Sequence, residues 1–253
     1  MALLITSTAQ NKTVPYHDKI IRRYSSILSN IHEKLYEANP VLSGSSAVNI
    51  IYTPGVPSND IDLYFLSQED FDSAKNILDS IPQNTYFETE NAISYNSQRV
   101  QLIKSIASTE EEIIYSHDFI NVSCAISNNG IFSSKETHYS WYNQELALRN
   151  FQVQPDSSPQ KKLTVLHTLL TRTNKYLDRY QLTLADSYKQ FLHNTLDWLS
   201  EDSVIDLFLT NQNEPVYDYY GNIIDFTISS KDCARVIKSL LIPQYSIWGT
   251  DLT

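Results

Sequence analysis

Two aspartates one residue apart, Asp60 and Asp62, open an apolar segment that continues to Leu66. In a β-strand, residues i and i+2 point to the same face, so the two carboxylates should lie side by side, with Ile61 facing the core behind them. Two like charges at this distance repel each other unless a cation neutralises them. Hard divalent ions take one or two carboxylates together with substrate phosphates. The pair therefore predicts a site for Mg²⁺ or Mn²⁺.

Acid pairs of the same spacing also occur elsewhere in the chain, as at Asp70 and Asp72 and at Glu88 and Glu90. We assign these two pairs to solvent-facing positions, one at the start of a helix and the other at a loop or strand edge. The spacing alone is thus a weak signal, and the case for Asp60 and Asp62 depends on their neighbourhood.

That neighbourhood begins with Gly44, Ser45 and Ser46, which stand at the start of a predicted short helix. Glycine lets a phosphate approach the backbone, and free N–H groups and serine hydroxyls donate hydrogen bonds to it. A plain helix cap after a glycine turn is the alternative, and such a tripeptide by itself favours that alternative. A phosphate-binding turn next to a metal-binding pair is less easily explained by chance.

The combination resembles the polymerase-β-like nucleotidyltransferase superfamily. Its pattern is a Gly-Ser turn that opens a helix, then Asp-x-Asp on a strand, then a third carboxylate on an adjacent strand. Gly44-Ser45 and Asp60-Ile61-Asp62 match the first two parts, and Asp118 in HDFINVSCAI is the candidate for the third. The Asp-Phe-x-x-x-Cys texture is also similar to compact nucleotidyltransferase-like proteins of phages and large viruses. The resemblance covers residues 40–130.

The resemblance implies an enzyme that transfers a nucleoside monophosphate from an NTP to an acceptor hydroxyl. It implies that the metal ions are held by three carboxylates, those of Asp60, Asp62 and Asp118. The β- and γ-phosphates are expected at Gly44, Ser45 and Ser46, and Asp118 could also accept the proton of the acceptor.

The acceptor and the activity itself stay open at this point. An RNA 3′ end such as that of tRNA is slightly favoured, because many members of the superfamily use one, while a protein or a small molecule also fits. The alternative function is that of a catalytically inactive binding protein on the same scaffold. His117 could act as a base, but we expect it to be a partly exposed residue at a strand start.

Members of the superfamily often hold the triphosphate with a basic residue from a following helical module. Arg172 and Lys175 are three residues apart and Arg179 is four further on, so the three share one face of a predicted helix. Arg172 and Lys175 are therefore the candidates for this role. A solvated basic face on an acidic protein is an equally good explanation.

Hydrophobic periodicity and turn residues predict the elements that position these side chains. We expect an α+β fold, in which a small mixed β-sheet flanked by helices (1–140) is followed by a mainly helical module (141–253). The first part should contain helices at 15–38, 47–51 and 71–81, a helix opening at 108–112, strands at 60–66, 85–95, 99–106 and 119–126, and a turn at 127–130. The second should contain helices at 163–180, 184–199 and 233–241 and a hairpin at 216–222.

Charge and composition restrict the function further. The chain has 29 acidic and 19 basic residues, for a formal charge of −10. Broad nonspecific binding of nucleic acid is disfavoured, since that needs a basic face, so any grip on RNA must come from a local patch. No apolar run approaches a membrane span, and no basic segment precedes the short apolar run at the N-terminus. With only two cysteines and no ligand spacing around them, we expect a cytoplasmic protein without a zinc site.

Overall fold

The computed structural model describes residues 2–4, 14–58, 60–97, 99–149, 169, 172–173, 175–191, 216–217 and 223–224. By their internal contacts, the residues divide into two units, Met1–Arg149 and Asn150–Thr253. Within the described residues, no helix is long and apolar enough to cross a membrane.

The first unit is built on a mixed sheet. Among the described residues it has eight strands in the order β1-β8-β7-β2-β3-β6-β5-β4. The strands are β1 (Ala2–Leu4), β2 (Val41–Ser43), β3 (Ile61–Phe65), β4 (Tyr86–Glu88), β5 (Ala92–Tyr95), β6 (Val100–Ile106), β7 (Cys124–Ser127) and β8 (Gly130–Ser134). Strands β3 and β6 are parallel, and the other neighbours are antiparallel. The predicted α+β class with a small mixed sheet is confirmed.

Helices cover both faces of this sheet: α1 (Val14–Ile31), α2 (Ser45–Ile51), α3 (Gln68–Asp79), α4 (Glu110–Ser116) and α5 (Lys135–Asn143). In β3, Leu63 and Phe65 are fully buried, and Phe65 meets Phe71 of α3 edge-on. The opposite face of the sheet packs against α4, where Tyr64 and Val41 contact Ile113. Alternation along β3 therefore separates the apolar core under α3 from the face that carries Asp62.

Helix starts follow local rules. Ser67 caps α3 by accepting a hydrogen bond from the backbone N–H of Asp70, and Thr109 caps α4 in the same way through Glu112. The predicted helices at 47–51, 71–81 and 108–112 are confirmed within a few residues. The first helix differs, because α1 ends at Ile31 and a separate 3-10 helix covers Leu35–Ala38. The imidazole Nδ1 of His32 accepts the backbone N–H of Lys34 there, which takes the chain out of the α-helical ladder.

Two predicted strands were too long. Residues 85–95 form two strands, β4 and β5, because Thr89 accepts from the N–H groups of Asn91 and Ala92 and closes a turn between them. Residues 119–126 begin with an isolated bridge from Phe119 to Leu148 and a 3-10 helix, Ile120–Val122, and only then form β7. The turn predicted at 127–130 joins β7 to β8 as expected.

The residues of the second unit are described only in parts. Residues 175–180 and 186–191 are helical, and a short strand, β10 (Thr183–Leu184), lies between them in sequence. The first unit also contains the short strand β9 (Glu145–Leu146). The predicted hairpin at 216–222 is confirmed for its strands, since β11 (Val216–Tyr217) pairs antiparallel with β12 (Ile223–Ile224). The predicted helix at 233–241 lies outside the described residues, as do residues 163–168 and 192–199 of the two other predicted helices.

A partly buried polar cluster joins the end of α2 to β8 and α5. The hydroxyl of Tyr52 lies 2.8 Å from Nδ1 of His138 and 2.9 Å from the hydroxyl of Ser133, and its ring stacks on Trp141. Burial lowers the pKa of the His138 imidazole below its ordinary value of 6.5. The folded protein thus favours neutral His138.

We expect the free energy of unfolding to fall as the pH drops from about 7.5 to about 5, in part through His138. The unfolded chain, in which this imidazole has its ordinary pKa, binds a proton there more readily than the folded chain does. Urea denaturation at several pH values checks this with His138→Gln, which should lose less stability over the same interval. Parallel curves for the two proteins would show that His138 has no part in the pH dependence.

Candidate functional site

The end of β2 and the start of β3 bring a carboxylate, a glycine and an imidazole together. Ser43 of β2 is the register partner of Asp62 in β3, so their side chains lie on one face of the sheet. Gly44 follows directly. A Cβ placed on Gly44 would lie 3.4 Å from Oδ2 of Asp62 and 3.7 Å from Cε1 of His117. The Asp62 carboxylate and the His117 imidazole therefore both border the space beside Gly44.

Gly44 has a backbone conformation that other residues avoid. Its φ is 70° and its ψ is −146°, a combination found almost only for glycine. The residue is the N-cap of α2, and the strand must turn sharply at this point to enter the helix. Ser45, the first residue of α2, is partly exposed. The absence of a side chain at Gly44 leaves room beside the carboxylate of Asp62.

Side-chain hydrogen bonds tie the loop from α2 to β3 to the helix. The Ser46 hydroxyl donates to the Asp60 carbonyl at 2.6 Å, and Asn49 bonds to Ser58 and to Thr53. Ser46 is buried, and a hydroxyl has one proton to donate, so in this structure Ser46 holds Asp60 in place instead of facing a phosphate. No hydrogen bond or ion pair joins the Asp60 carboxylate to another described residue.

The donor set suits a hard divalent cation. Asp60 and Asp62 offer carboxylate oxygens, and the space that a Cβ on Gly44 would fill adjoins Oδ2 of Asp62. Over the residues that the structure describes, no three His, Cys, Asp or Glu side chains are grouped closely enough to hold a metal ion by themselves. A Mg²⁺ ion held here would take its remaining ligands from water and substrate phosphates, as this ion usually does.

Asp118 was expected at the start of a strand, and the structure places it elsewhere. It lies between α4 and the 3-10 helix, not on a strand beside β3. The strands that flank β3 are β2 and β6, and neither carries a carboxylate; the register partner of Asp62 in β6 is Gln101. The chain leaves the extended conformation here because Asn121 and Ser123 bond to nearby backbone groups, including the carbonyl of Phe119.

The neighbour of Asp118 is better placed than the sequence indicated. Nε2 of His117 lies 2.8 Å from the hydroxyl of Ser43, and the ring meets Tyr64 edge-on. From the sequence, His117 was expected as a partly exposed residue at a strand start, and no pattern pointed to Ser43. The only signal for His117 was its adjacency to Asp118. The contact joins residues 74 positions apart, which no local pattern reveals.

The basic residues Arg172 and Lys175, proposed from the sequence, belong to the second unit, whereas Arg149 and Cys124 belong to the first. Arg172 and Lys175 are partly exposed residues of helical segments in the second unit. In the first unit, Arg149 donates its backbone N–H to the Asp118 carbonyl at 2.7 Å, and its guanidinium lies over the ring of Tyr115. Sequence reasoning missed Arg149. Cys124 is buried in β7 as expected, and burial raises the pKa of its thiol well above the usual range.

Comparison with protein families gives one match to this site-bearing unit. The family model described as "Gabija anti-defense 2 family protein" matches residues 4–144, which is more than half of the 253 residues. The matched range contains Gly44, Asp60, Asp62 and Asp118. A search of curated proteins finds no match.

Similar solved structures include several CCA-adding enzymes. The Thermotoga maritima CCA-adding enzyme complexed with tRNA has a TM-score of 0.47 and 14% identity, over 81% of this chain and 48% of that enzyme. A CCA-adding enzyme with ATP has a TM-score of 0.48 and 13% identity, over 82% and 50%. One with CTP has a TM-score of 0.48 and 14% identity, over 74% and 45%. The chain thus spans about half the length of these enzymes.

Proposed function

The chain belongs to the Gabija anti-defense 2 family, and we propose that it counteracts the Gabija defence as a metal-dependent nucleotidyltransferase. The reaction would transfer a nucleoside monophosphate from an NTP to an acceptor hydroxyl. The observation that carries this proposal is that Asp62 and His117 both border the space beside Gly44, whose backbone conformation favours the residue without a side chain.

The roles of the residues follow from their positions. Asp60 and Asp62 would hold Mg²⁺ or Mn²⁺, Asp62 from β3 and Asp60 from the loop that Ser46 fixes to α2. Gly44 and the partly exposed Ser45 would receive the β- and γ-phosphates. Arg172 or Lys175 stays the proposed source of positive charge for the pyrophosphate. When bound, the metal ion would supply positive charge at the phosphate oxygens.

The reaction balances with the groups that the chain offers. The acceptor oxygen would form a bond to the α-phosphorus of the NTP while the bond from that phosphorus to the bridging oxygen breaks. The two electrons of the broken bond leave with pyrophosphate. The proton of the acceptor hydroxyl would go to the Asp118 carboxylate. Chemistry of this kind depends mainly on positioning and on charge, which are what a rigid turn and fixed carboxylates provide.

For the acceptor we propose an RNA 3′ end, with a protein hydroxyl as the competing outcome. The excess of 29 acidic over 19 basic residues disfavours a large RNA footprint, so contact would be confined to a short end. A protein acceptor would need no basic surface.

A second candidate function is favoured by one observation. Neither strand next to β3 carries a carboxylate, and Gln101 stands beside Asp62 where the superfamily pattern has an acid on an adjacent strand. A scaffold that has lost part of its catalytic set would counteract Gabija by binding one of its components. In that case nucleotide transfer is absent.

The two functions separate in a labelling experiment. The purified chain is incubated with each NTP labelled at the α-phosphate, with Mg²⁺ or Mn²⁺, and with RNA or protein fractions from cells that carry the Gabija defence. Label in the RNA fraction is expected, together with release of pyrophosphate. Label in the protein fraction would show that the acceptor is a protein hydroxyl and would leave the transferase function unchanged. If no fraction is labelled and the folded chain still counteracts Gabija in cells, the binding function is correct and the transferase function is wrong.

A further inference from the structure

We propose that His117 is a positioning residue, which holds the segment carrying Asp118 against the strand ends that carry Gly44 and Asp62. The inference rests on the proposed nucleotidyltransferase function for its kinetic consequence, while its structural part can be tested without that function. It assigns a role to a side chain that belongs to no part of the superfamily pattern described above.

The hydrogen bonds of Ser43 define which nitrogen of the His117 imidazole carries the proton. The Ser43 hydroxyl lies 2.8 Å from the backbone carbonyl of Cys124 and 2.8 Å from Nε2 of His117. A hydroxyl has one proton, and a carbonyl can only accept, so Ser43 donates to Cys124. Ser43 must then accept from His117, which requires that Nε2 carry the proton. Ser43 is fully buried, so leaving this hydrogen bond unmade would be costly.

The ring is also held by packing. Tyr64 meets the imidazole at a centroid distance of 5.8 Å and an interplanar angle of 77°. Cε1 lies next to the position that a Cβ on Gly44 would occupy. Tyr64 and Asp62 are two residues apart in β3, and Ser43 is the register partner of Asp62. The same strand pair that presents Asp62 therefore also holds His117.

The other side of the segment is held by the chain after α5. The backbone carbonyl of Asp118 accepts the N–H of Arg149 at 2.7 Å, and Ile120 donates its N–H to the Ala147 carbonyl at 2.9 Å. Phe119, which is buried, forms the isolated bridge to Leu148 between these two bonds. Asp118 thus lies between an anchor on β2 and an anchor on residues 147–149, although it belongs to neither a helix nor a strand.

The His117 side chain links the segment of Asp118 to the candidate site. The backbone bonds to residues 147–149 place the segment relative to α5, whereas His117 places it relative to Gly44 and Asp62. Removal of the imidazole should leave the bonds to residues 147–149 intact and release the segment on the side of the site. Loss of such outer partners of a catalytic or metal-binding group typically costs 10- to 100-fold in activity or metal affinity.

The test compares His117→Ala with His117→Gln, whose side-chain amide can still donate to Ser43. His138→Ala is the matched control, because His138 also bonds to a hydroxyl of the same unit, that of Tyr52, and is no part of the candidate site. Steady-state transfer with the preferred NTP should show kcat lowered about 10- to 100-fold by His117→Ala. The KM for the NTP should change by less than about threefold, because ground-state binding at Gly44 and Ser45 is kept. His117→Gln should recover most of kcat, and His138→Ala should lower the melting temperature without this loss.

Crystal structures of the wild type and of His117→Ala decide the structural part, whether or not the protein transfers nucleotides. Movement of the Asp118 Cα by about 1 Å or more relative to Asp62 is expected, a displacement large enough to impair catalysis. An unmoved Asp118 would overturn the proposal, as would a kcat loss equal to that of His138→Ala. An inactive wild type with a displaced Asp118 in the variant would instead contradict the proposed function and leave the positioning role intact.

Discussion

Replacement of Asp62 with asparagine should lower the rate of nucleotide transfer about 1000-fold, because a metal-binding carboxylate contributes several kcal/mol of transition-state stabilisation. Asparagine keeps the size and shape of the side chain and removes its charge. The pairing of Asp62 with Ser43 of β2 stays in place, so the fold should be preserved. Single-turnover transfer of label from the α-phosphate, measured at saturating NTP and Mg²⁺, gives the rate.

Asp72→Asn provides the matched control for this substitution. Asp72 belongs to the Asp-x-Asp pair at the start of α3, and it is exposed and bonded only to Gln68 among the described residues. Its replacement should leave the transfer rate within about twofold of wild type, as surface substitutions away from special features generally do. A wild-type rate for Asp62→Asn, with the protein folded, would remove Asp62 from the reaction and with it the proposed site.

Replacement of Gly44 with alanine should reduce both stability and activity. The backbone conformation at φ 70° and ψ −146° is strained for alanine and should cost about 1–3 kcal/mol of unfolding free energy. The added methyl group would lie in van der Waals contact with Oδ2 of Asp62, in the space where a metal ion or phosphate is proposed to bind. Because displacement of a reacting group by about 1 Å can cost 100-fold, we expect a loss of transfer of at least about 100-fold.

Gly130→Ala separates these two effects. Gly130 also has a positive φ, 137°, but a Cβ there would meet nothing within 4 Å. Urea denaturation should show a loss of stability for both variants, whereas only Gly44→Ala should lose transfer under conditions where both are folded. Equal transfer by the two variants would mean that the space beside Asp62 is not used by substrate or metal.

Local rules were enough to predict several elements of the fold. The caps at Ser67 and Thr109 use a side chain and a backbone N–H three residues away, so their signals lie within one turn of sequence. The turn at 127–130 and the strands around residues 216–224 likewise depend on neighbours in the chain. The sequence also pointed to Asp62 and the glycine turn together, because the residue types themselves indicate metal and phosphate binding.

Predictions failed where side chains bonded to distant or irregular backbone. The apolar run after Asp118 has the composition of a strand, yet Asn121 bonds to the Glu145 carbonyl and the Ala147 N–H, and its first part forms a 3-10 helix. The helix predicted to reach residue 38 ends at Ile31 for a similar reason, at the His32 imidazole. Periodicity reports which residues can be buried, but it does not report such competing hydrogen bonds.

The sequence by itself determined which chemical groups are present: two neighbouring carboxylates, a glycine before a helix, and an acidic chain poor in basic clusters. The tertiary structure decided which groups meet. Pairing of β2 with β3 puts Ser43 opposite Asp62, and α4 brings His117 across 74 residues to Ser43. Such contacts depend on strand register and on the docking of a helix, which are set by packing of the whole core and by no local pattern.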